Sequence, residues 1–155
     1  MSVELTPRGT RGTEPPKIPG FLMSALLLMV VLAYRMLGDR LRVWGHSLVL
    51  LTTVGARTGK MRRTMLVRFP DGNGWLVVAS FGGSARHPAW MLNIAKNPDK
   101  VWIEIKGQKI HVRPETLMGE ERDAALTRII AEAPGYGAYR EKTDREIPVV
   151  RLTPA

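Results

Sequence analysis

The sequence contains no cysteine. Disulfide bonds, thiolate metal sites and cysteine nucleophiles are therefore excluded, and the composition is compatible with a reducing cytoplasm. Histidine is also scarce: His46, His87 and His111 are the three in the chain, and no two of them are four residues apart. This spacing gives a histidine-based metal site no support, so we predict that no metal ion is bound.

The short motifs of several large enzyme classes are missing as well. The sequence has no nucleophile elbow and no dinucleotide-binding fingerprint, and the stretch GARTGK at 55–60 lacks the spacing of a P-loop. Aromatic residues make up only 6% of the chain, and no known nucleic-acid-binding motif accompanies its basic residues. We therefore predict that nucleic acid is not a partner.

The charge that is present is strongly one-sided. Lys and Arg number 23 against 14 Asp and Glu, so the formal net charge is +9. From charge alone, such an excess attracts nucleic acid, an anionic membrane surface or a polyanionic ligand. At 155 residues the chain is long enough for one domain with a substantial core.

The N-terminal part divides into two segments. Residues 1–17 are rich in Pro, Gly, Thr and charge, and we predict a flexible basic tail. Residues 18–34 carry no charge, and the alternatives are a short transmembrane helix, a signal peptide, a buried core helix and a membrane-surface or lid helix. Because basic residues flank this run on both sides, we favour a membrane-anchor or lid helix over residues 18–44.

A basic turn between two apolar strands is the centre of the remaining chain. The runs 48–54 and 64–69 are rich in apolar and β-branched residues, and glycines bracket the turn between them. From 47 to 69 there is no acidic residue, and the basic ones are Arg57, Lys60, Arg62, Arg63 and Arg68. Since arginine makes forked contacts with phosphate and carboxylate, we predict an anion site here.

The patterning of the other segments predicts the fold. Further strands are expected at 75–80, 101–106, 109–113 and 147–152, and helices at 89–96 and 120–133. Gly107-Gln108 is predicted to form a type II′ hairpin turn. Strands joined by hairpins and short helices, each with one wet face, indicate an α+β fold. We predict a small antiparallel six-stranded split β-barrel over residues 45–155, with peripheral helices and an N-terminal apolar helix.

A glycine pair and three aromatic residues are further candidates for ligand contact. Gly82 and Gly83 allow a flat ligand to approach the backbone closely. Trp90, Tyr136 and Tyr139 could wall an aromatic ring. Each feature alone also fits a solvated turn or ordinary core packing. Together with the basic turn, they indicate a pocket for a planar ring with an anionic tail.

Several stretches resemble a known family in the same order along the chain. Residues 50–59 (LLTTVGARTG), followed by Arg62, resemble the first signature of the deazaflavin (F420)-dependent nitroreductase and quinone reductase family. Residues 78–83 (VASFGG) and 87–93 (HPAWMLN) are similar to its second signature, and 134–150 resembles its C-terminal half. The resemblance covers roughly residues 45–153.

This resemblance implies a split β-barrel that binds reduced coenzyme F420, a deazaflavin with a phosphate and a polyglutamate tail. The residues that match cofactor-binding positions of the family are Arg57, Thr58, Gly59 and Arg62 for the phosphate and tail, and Val78, Ala79, Ser80 and Trp90 for the ring. The residues that match the substrate side, where a hydroxyl group could hydrogen-bond the acceptor, are Tyr139, Tyr136 and Ser80. In this reading the coenzyme donates the hydride and the protein orients the reactants.

The activity implied is hydride transfer from reduced F420 to a quinone or nitroaromatic acceptor. The expected location is the cytoplasmic side of the cell membrane, with peripheral binding or a short N-terminal anchor. Two alternatives stay open. Related split barrels use FMN, so an FMN-dependent reductase is one. The apolar residues Met65, Phe81 and 18–34 also fit a non-catalytic fatty-acid or lipid-binding member of the same fold. The oligomeric state is left open.

Overall fold

The computed structural model describes residues 2–155. Its helices and strands are, in chain order, α1 (Gly20–Leu37), β1 (Arg42–Val43), β2 (His46–Val54), β3 (Met61–Val67), β4 (Phe69–Asp71), β5 (Gly74–Val78), α2 (Ala89–Lys96), β6 (Trp102–Ile105), β7 (Gln108–Thr116), α3 (Gly119–Glu132), α4 (Gly135–Lys142) and β8 (Val149–Pro154).

All strand pairs of the curled sheet are antiparallel. The strand order is β1-β2-β6-β7-β8-β5-β4, and β3 pairs with β2 along its length. The predicted α+β fold with a curled antiparallel sheet and an N-terminal apolar helix is confirmed. The strand count differs, because the structure has eight strands where six were predicted.

Arg68 accounts for one of the two additional strands. The sequence predicts a continuous strand at 64–69, but Arg68 separates β3 from β4. Its backbone N–H donates to Ser47 O at 2.9 Å. Its guanidinium is buried, donates to Leu48 O and pairs with Asp39 at 2.9 Å. Arg68 thus still bonds to β2, whereas the next residue, Phe69, pairs with β5, so the chain passes from one neighbouring strand to the other at Arg68.

The β2 strand is buried on both faces, which explains its unbroken apolar run. Val49 and Leu51 lie in the barrel core, together with Met91 of α2. Leu48 and Leu50 point to the opposite face and pack against α1. A strand covered on both sides reads as a continuous hydrophobic segment rather than an alternating one. Helix α1 therefore supplies the outer layer over this part of the barrel.

The side-chain hydrogen bonds from Tyr34 and Arg35 fasten helix α1 to the barrel near its C-terminal end. Tyr34 donates from its hydroxyl to Leu48 O at 2.9 Å, and Arg35 pairs with Glu104 at 3.0 Å. The helix ends at Leu37, since Gly38 has a φ of +57°. Residues 38–44 therefore do not continue the helix to 44 as predicted, and Arg42–Val43 instead pairs with β2.

Residues 2–15, here called the N-terminal strap, lie in an extended conformation against the barrel. The backbone N–H groups of Thr10 and Arg11 each donate to Asp144 Oδ1 at 2.8 Å. Thr13 N–H donates to Gly83 O at 3.0 Å. The structure thus differs from the predicted flexible tail. Its composition offers no apolar periodicity, but backbone hydrogen bonds to loops distant in sequence hold it in place.

Candidate functional site

A cleft of about 1400 Å³ opens beside the basic turn. Its walls come from the turn 55–60, from β3, from the loop 79–88, and from the first turn of α2. Helices α1 and α4 and the loop at 43–44 contribute the remaining side. Ligand sites usually enclose about 300–1000 Å³, so this cleft has room for a ligand of coenzyme size.

The basic turn is held rigid by its own hydrogen bonds. Gly55 N–H donates to Lys60 O at 2.8 Å, and Gly59 N–H donates to Gly55 O at 2.9 Å. Lys60 N–H donates to the Thr58 hydroxyl at 3.3 Å. The N–H groups of Arg57 and Thr58 have no acceptor among residues 2–155. These two amides can therefore donate to an anion in the cleft.

Three of the four residues predicted to bind the phosphate and tail line the cleft, and one does not. Arg57, Thr58 and Arg62 line the cleft. Gly59 does not line it; with a φ of +70°, it closes the turn. Its contribution is conformational, because only glycine adopts this backbone geometry without strain.

Asn93 positions the turn, a role that the sequence reasoning missed. Its side-chain oxygen accepts from Ala56 N–H at 2.9 Å, and its amide group donates to the Thr53 hydroxyl at 3.0 Å. Asn93 is buried on α2. A buried amide on an otherwise apolar helix face is a signal that could have identified it, since buried polar groups require partners.

The cleft carries five arginines and no carboxylate. The arginines that line it are Arg8, Arg57, Arg62, Arg63 and Arg86. None of them forms an ion pair with another described residue. Helix α2 also begins here, at Ala89, so the positive end of its dipole faces the same space. This arrangement favours a ligand with several negative charges.

The predicted ring-lining stretch 78–80 contributes two of its three residues. Val78 and Ser80 line the cleft. Ala79 is fully buried and does not reach it. The Ala79 and Ser80 carbonyls point away from the ligand space and accept hydrogen bonds from Arg145, at 3.1 and 2.9 Å. Alternation along an extended backbone explains why the middle residue faces the core.

Arg145 is a buried guanidinium behind the wall of the cleft. It donates to three carbonyls, those of Ala79, Ser80 and Ser84, and to Nδ1 of His87 at 3.0 Å. Burial lowers the pKa of Arg145, but arginine remains protonated at neutral pH. Arg145 lies within residues 134–150, which resemble the family, but it is not among the predicted site residues.

His87 lines the cleft and is held in one tautomer. Its Nδ1 faces the Arg145 donor, and its Nε2 lies 2.7 Å from Thr6 O. The ring therefore carries its proton on Nε2 and donates it to the strap. Burial lowers the pKa of His87 below its ordinary value, and the nearby Arg145 charge acts in the same direction. His87 thus serves as a neutral structural link.

Three aromatic rings border the opposite side of the cleft. Trp44 lies 5.5 Å from Tyr136 and 5.9 Å from Tyr139, measured between ring centroids. The two predicted tyrosines thus lie together, 6.0 Å apart. Trp44 was not predicted, because it stands alone in sequence. Burial raises the pKa of Tyr136 from 10 to about 12, and its hydroxyl, protonated at neutral pH with either value, can donate a hydrogen bond.

Trp90, which was predicted to contact the ring of the coenzyme, lies between the core and the cleft. It is mostly buried within the barrel core and also contributes to the cleft lining. Phe81, across the loop, lines the cleft with a φ of +45°. A bulky residue in this left-handed region is strained, and such strain often marks a ligand site. Gly82 and Gly83 also have positive φ, so three consecutive residues with positive φ turn the chain sharply at 81–83.

The chemistry of the cleft has two parts. One part offers cations and backbone N–H groups to an anionic ligand. The other offers hydroxyl groups and aromatic or apolar surface from Tyr136, Tyr139, Trp44 and Met65 to a planar molecule. Among residues 2–155, no group of three His, Asp or Glu side chains is placed to hold a metal ion.

Comparison with known proteins identifies a family with these features. Residues 30–154 match the family described as F420H2-dependent quinone reductase. An F420H2-dependent quinone reductase of Mycobacterium tuberculosis is 40% identical over 108 residues, which make up 68% of this chain and 72% of that protein.

Solved structures agree with that match. The structure of an F420-H2 dependent reductase aligns with a TM-score of 0.60 and 36% identity, covering 68% of this chain and 92% of that one. A structure described as a domain-swapped dimer aligns with a TM-score of 0.61 and 31% identity, covering 83% and 98%. The split-barrel arrangement of the sheet is therefore shared with these proteins.

Proposed function

This chain belongs to the F420H2-dependent quinone reductase family, and from that premise we propose that it reduces a quinone with reduced coenzyme F420 at a membrane surface. Membership of this family makes the chain an oxidoreductase with F420 as its coenzyme. F420 is the cofactor that the sequence predicted. When bound, the reduced coenzyme supplies a hydride, and the acceptor takes up a proton to become the quinol.

The observation that carries this proposal is the fit of the cleft to the coenzyme's charges. A phosphate with several glutamates needs multiple cations, and the cleft provides five arginines with no carboxylate partner among the described residues. Arg57, Arg62 and the free N–H groups of Arg57 and Thr58 would hold the phosphate and the start of the tail. Val78, Ser80 and Trp90 would border the ring.

The acceptor side is supplied by hydroxyl donors and aromatic walls. Tyr136 is protonated at neutral pH, as a tyrosine ordinarily is, and burial raises its pKa further, to about 12. It can hydrogen-bond a quinone oxygen and stabilise negative charge that develops there, as can Tyr139 and Ser80. The residues bordering this side are mostly apolar, so we propose nitroaromatic compounds as additional acceptors.

The first experiment measures binding and turnover with matched variants. Wild-type protein should quench or shift F420 fluorescence at micromolar coenzyme, with weaker binding of FMN, and should oxidise reduced F420 with menadione. Arg57→Gln and Arg62→Gln should weaken F420 binding about tenfold each. Lys60→Gln is the control, since Lys60 lies in the same turn but does not line the cleft.

The outcomes separate the candidate functions. Absence of F420 binding by the wild-type protein would overturn the proposal. Tight FMN binding instead would favour the flavin-dependent alternative, and a fatty acid or lipid recovered by mass spectrometry from a protein that does not bind F420 would favour lipid binding. Oxidation of reduced F420 by menadione but not by a nitroaromatic compound would remove only the nitroaromatic acceptors.

We propose that α1 attaches the protein to the cytoplasmic side of the membrane. Gly20–Arg40 is long and apolar enough to cross a bilayer by length and composition, and 11% of its 18-residue window is buried. Phe21, Met29 and Met36 are among its exposed side chains. Lys17, before the helix, and the basic residues after Tyr34 would contact anionic headgroups.

Met23 and Val30 also line the cleft, so an apolar acceptor could reach the site along α1.

Vesicle binding tests this attachment. The protein should sediment with vesicles of phosphatidylglycerol and phosphatidylcholine, and Met29→Glu should reduce the bound fraction several-fold because it places a charge on the exposed face of α1. Met118→Glu changes another exposed methionine, which lies outside α1, and should bind as wild type. Equal binding by both variants would contradict the role of α1.

A further inference from the structure

The strap places one arginine of the cleft outside the region that defines the family. The family match begins at residue 30, whereas Arg8 lies in the strap and lines the cleft. The other four cleft arginines belong to the barrel. Arg8 therefore joins the basic wall from outside the matched residues 30–154, and its position depends on how the strap is attached.

The backbone on both sides of Arg8 is tied to the barrel. The Thr6 hydroxyl donates to Glu146 O at 2.6 Å, and Thr10 N–H donates to Asp144 Oδ1 at 2.8 Å. Gly9 N–H donates to Ala85 O at 2.9 Å. A Cβ on Gly9 would lie 2.6 Å from Asp144 Oδ1 and 2.9 Å from Arg145 N. Only glycine can approach this closely, so the strap has little freedom to move Arg8 away.

The Gly9–Ala85 hydrogen bond brings two arginines together. It joins the peptide group between Arg8 and Gly9 to the peptide group between Ala85 and Arg86. Both side chains line the cleft. Two guanidinium groups that line the same end of one cleft repel each other, and a bound anion reduces that cost. The pair therefore favours a ligand that carries negative charge at this end of the cleft.

Nearby carboxylates do not neutralise Arg8. Asp144 and Glu146 both lie beside the strap, yet neither forms an ion pair with Arg8. Asp144 instead accepts hydrogen bonds from Thr10 and Arg11, which lower its pKa to about 2. An arginine that served only to fasten the strap would pair with one of these carboxylates. Arg8 faces the cleft with its charge available.

We propose that Arg8 binds a carboxylate of the coenzyme's glutamate tail, next to Arg86, and so extends the anion site beyond the basic turn. This inference rests on the proposed use of F420. The strap thereby becomes part of the coenzyme site, and Asp144 acts as a positioning residue that holds Arg8 in place.

The test compares two deazaflavins by fluorescence titration. Arg8→Gln should raise the dissociation constant for F420 about 5- to 20-fold, the effect of losing one charge-assisted hydrogen bond. It should not change binding of a deazaflavin analogue that lacks the phosphate and the glutamates. Arg11→Gln is the matched control, because it removes the same charge from the strap at a residue that does not line the cleft.

A second variant tests the attachment, and the outcomes are distinct. Asp144→Ala removes the oxygen that accepts from Thr10 and Arg11, so it should loosen the strap and weaken F420 binding to a similar degree as Arg8→Gln, and the double variant should be no weaker than either single one. Wild-type protein that binds F420, with Arg8→Gln binding equally well, would overturn this inference alone. An equal loss in Arg8→Gln and Arg11→Gln would show a general charge effect and would also overturn it. Wild-type protein that does not bind F420 would overturn the proposed function instead.

Discussion

At the scale of single residues, Arg145 joins parts of the chain that the sequence separates. Its guanidinium is buried and all four of its hydrogen-bond partners are uncharged. These partners fix the backbone of 79–84, which forms the wall behind the ligand space. A buried charge is tolerated only when its hydrogen bonds are made, so the loop and Arg145 depend on each other.

Replacing Arg145 should therefore destabilise the fold. Arg145→Met leaves three buried carbonyls without donors, and we expect a loss of about 3 kcal/mol or more in the free energy of unfolding. Arg145→Lys should lose less, since it retains the charge and part of the hydrogen bonding. Urea denaturation measures both. Arg140→Met, at an exposed position on α4, is the control and should change stability by less than about 0.5 kcal/mol.

His87 gives the molecule a pH dependence at the same place. Because burial lowers its pKa below 6.5 in the folded protein, the unfolded chain binds the proton first as the pH falls. The contribution of His87 to stability is therefore complete above about pH 6.5 and is lost progressively below it. Urea midpoints measured from pH 8 to pH 5 should fall less steeply for His87→Asn than for wild type. The same substitution at exposed His111 should leave the slope unchanged.

At the scale of elements, the strap and the loop 79–88 form one unit. Thr13, Gly9 and Thr6 bond to the loop or to the segment after α4. A Cβ on Gly83 would lie 2.9 Å from Tyr139 O, so α4 supports the loop from the other side. The wall of the cleft is thus built from three chain segments that are stable only together.

Protonation of Asp144 should weaken the attachment of the strap at Thr10 and Arg11. Its hydrogen bonds lower the pKa of Asp144 from 3.8 to about 2, so its contribution is present above about pH 4 and is lost as the pH falls through about 2. The amide signals of Thr10 and Arg11 in NMR spectra should shift together across this range. In Asp144→Ala, which lacks the oxygen that accepts from both amides, the two signals should already lie near their low-pH positions at neutral pH. Wild-type signals that do not move down to pH 2 would contradict this assignment.

At the scale of the whole molecule, charge and apolar surface are separated. The net charge is +9, and five arginines converge on one cleft. The exposed apolar residues concentrate on α1, where Phe21, Met29 and Met36 are examples. An anionic coenzyme and an apolar acceptor can therefore approach the same cleft from different sides.

Salt should weaken coenzyme binding through this charge distribution. Exposed charges interact over about 8–10 Å at physiological ionic strength and over about 3 Å at 1 M salt. We expect the dissociation constant for F420 to rise at least tenfold between 50 mM and 500 mM NaCl, on the order of one lost ionic contact. Fluorescence titration provides the measurement. Binding of the analogue without phosphate and glutamates should change little, and an equal salt effect on both ligands would contradict the electrostatic origin.

Local sequence patterns predicted those helices and strands whose ends are set by neighbouring residues in the chain. Helix α2 was predicted at 89–96, where Pro88 starts it and the approach to Pro98 ends it, and the structure agrees. The basic turn and its flanking strands were also predicted. The hairpin turn at 107 was misplaced, because Lys106 and Gly107 both have positive φ and form the two-residue loop. Lysine is not a residue that signals such a geometry.

By itself, the sequence determined the fold class, the family and the position of the basic turn, because hydrophobic periodicity, glycines and clustered charge act over a few residues. Only the tertiary structure decided that Arg8, Trp44 and Asn93 meet at one cleft, that Arg145 supports its wall from behind, that Ala79 turns away from it, and that the strap is docked. These outcomes depend on hydrogen bonds and packing between residues far apart in the chain, and such contacts leave no local pattern from which they could be predicted.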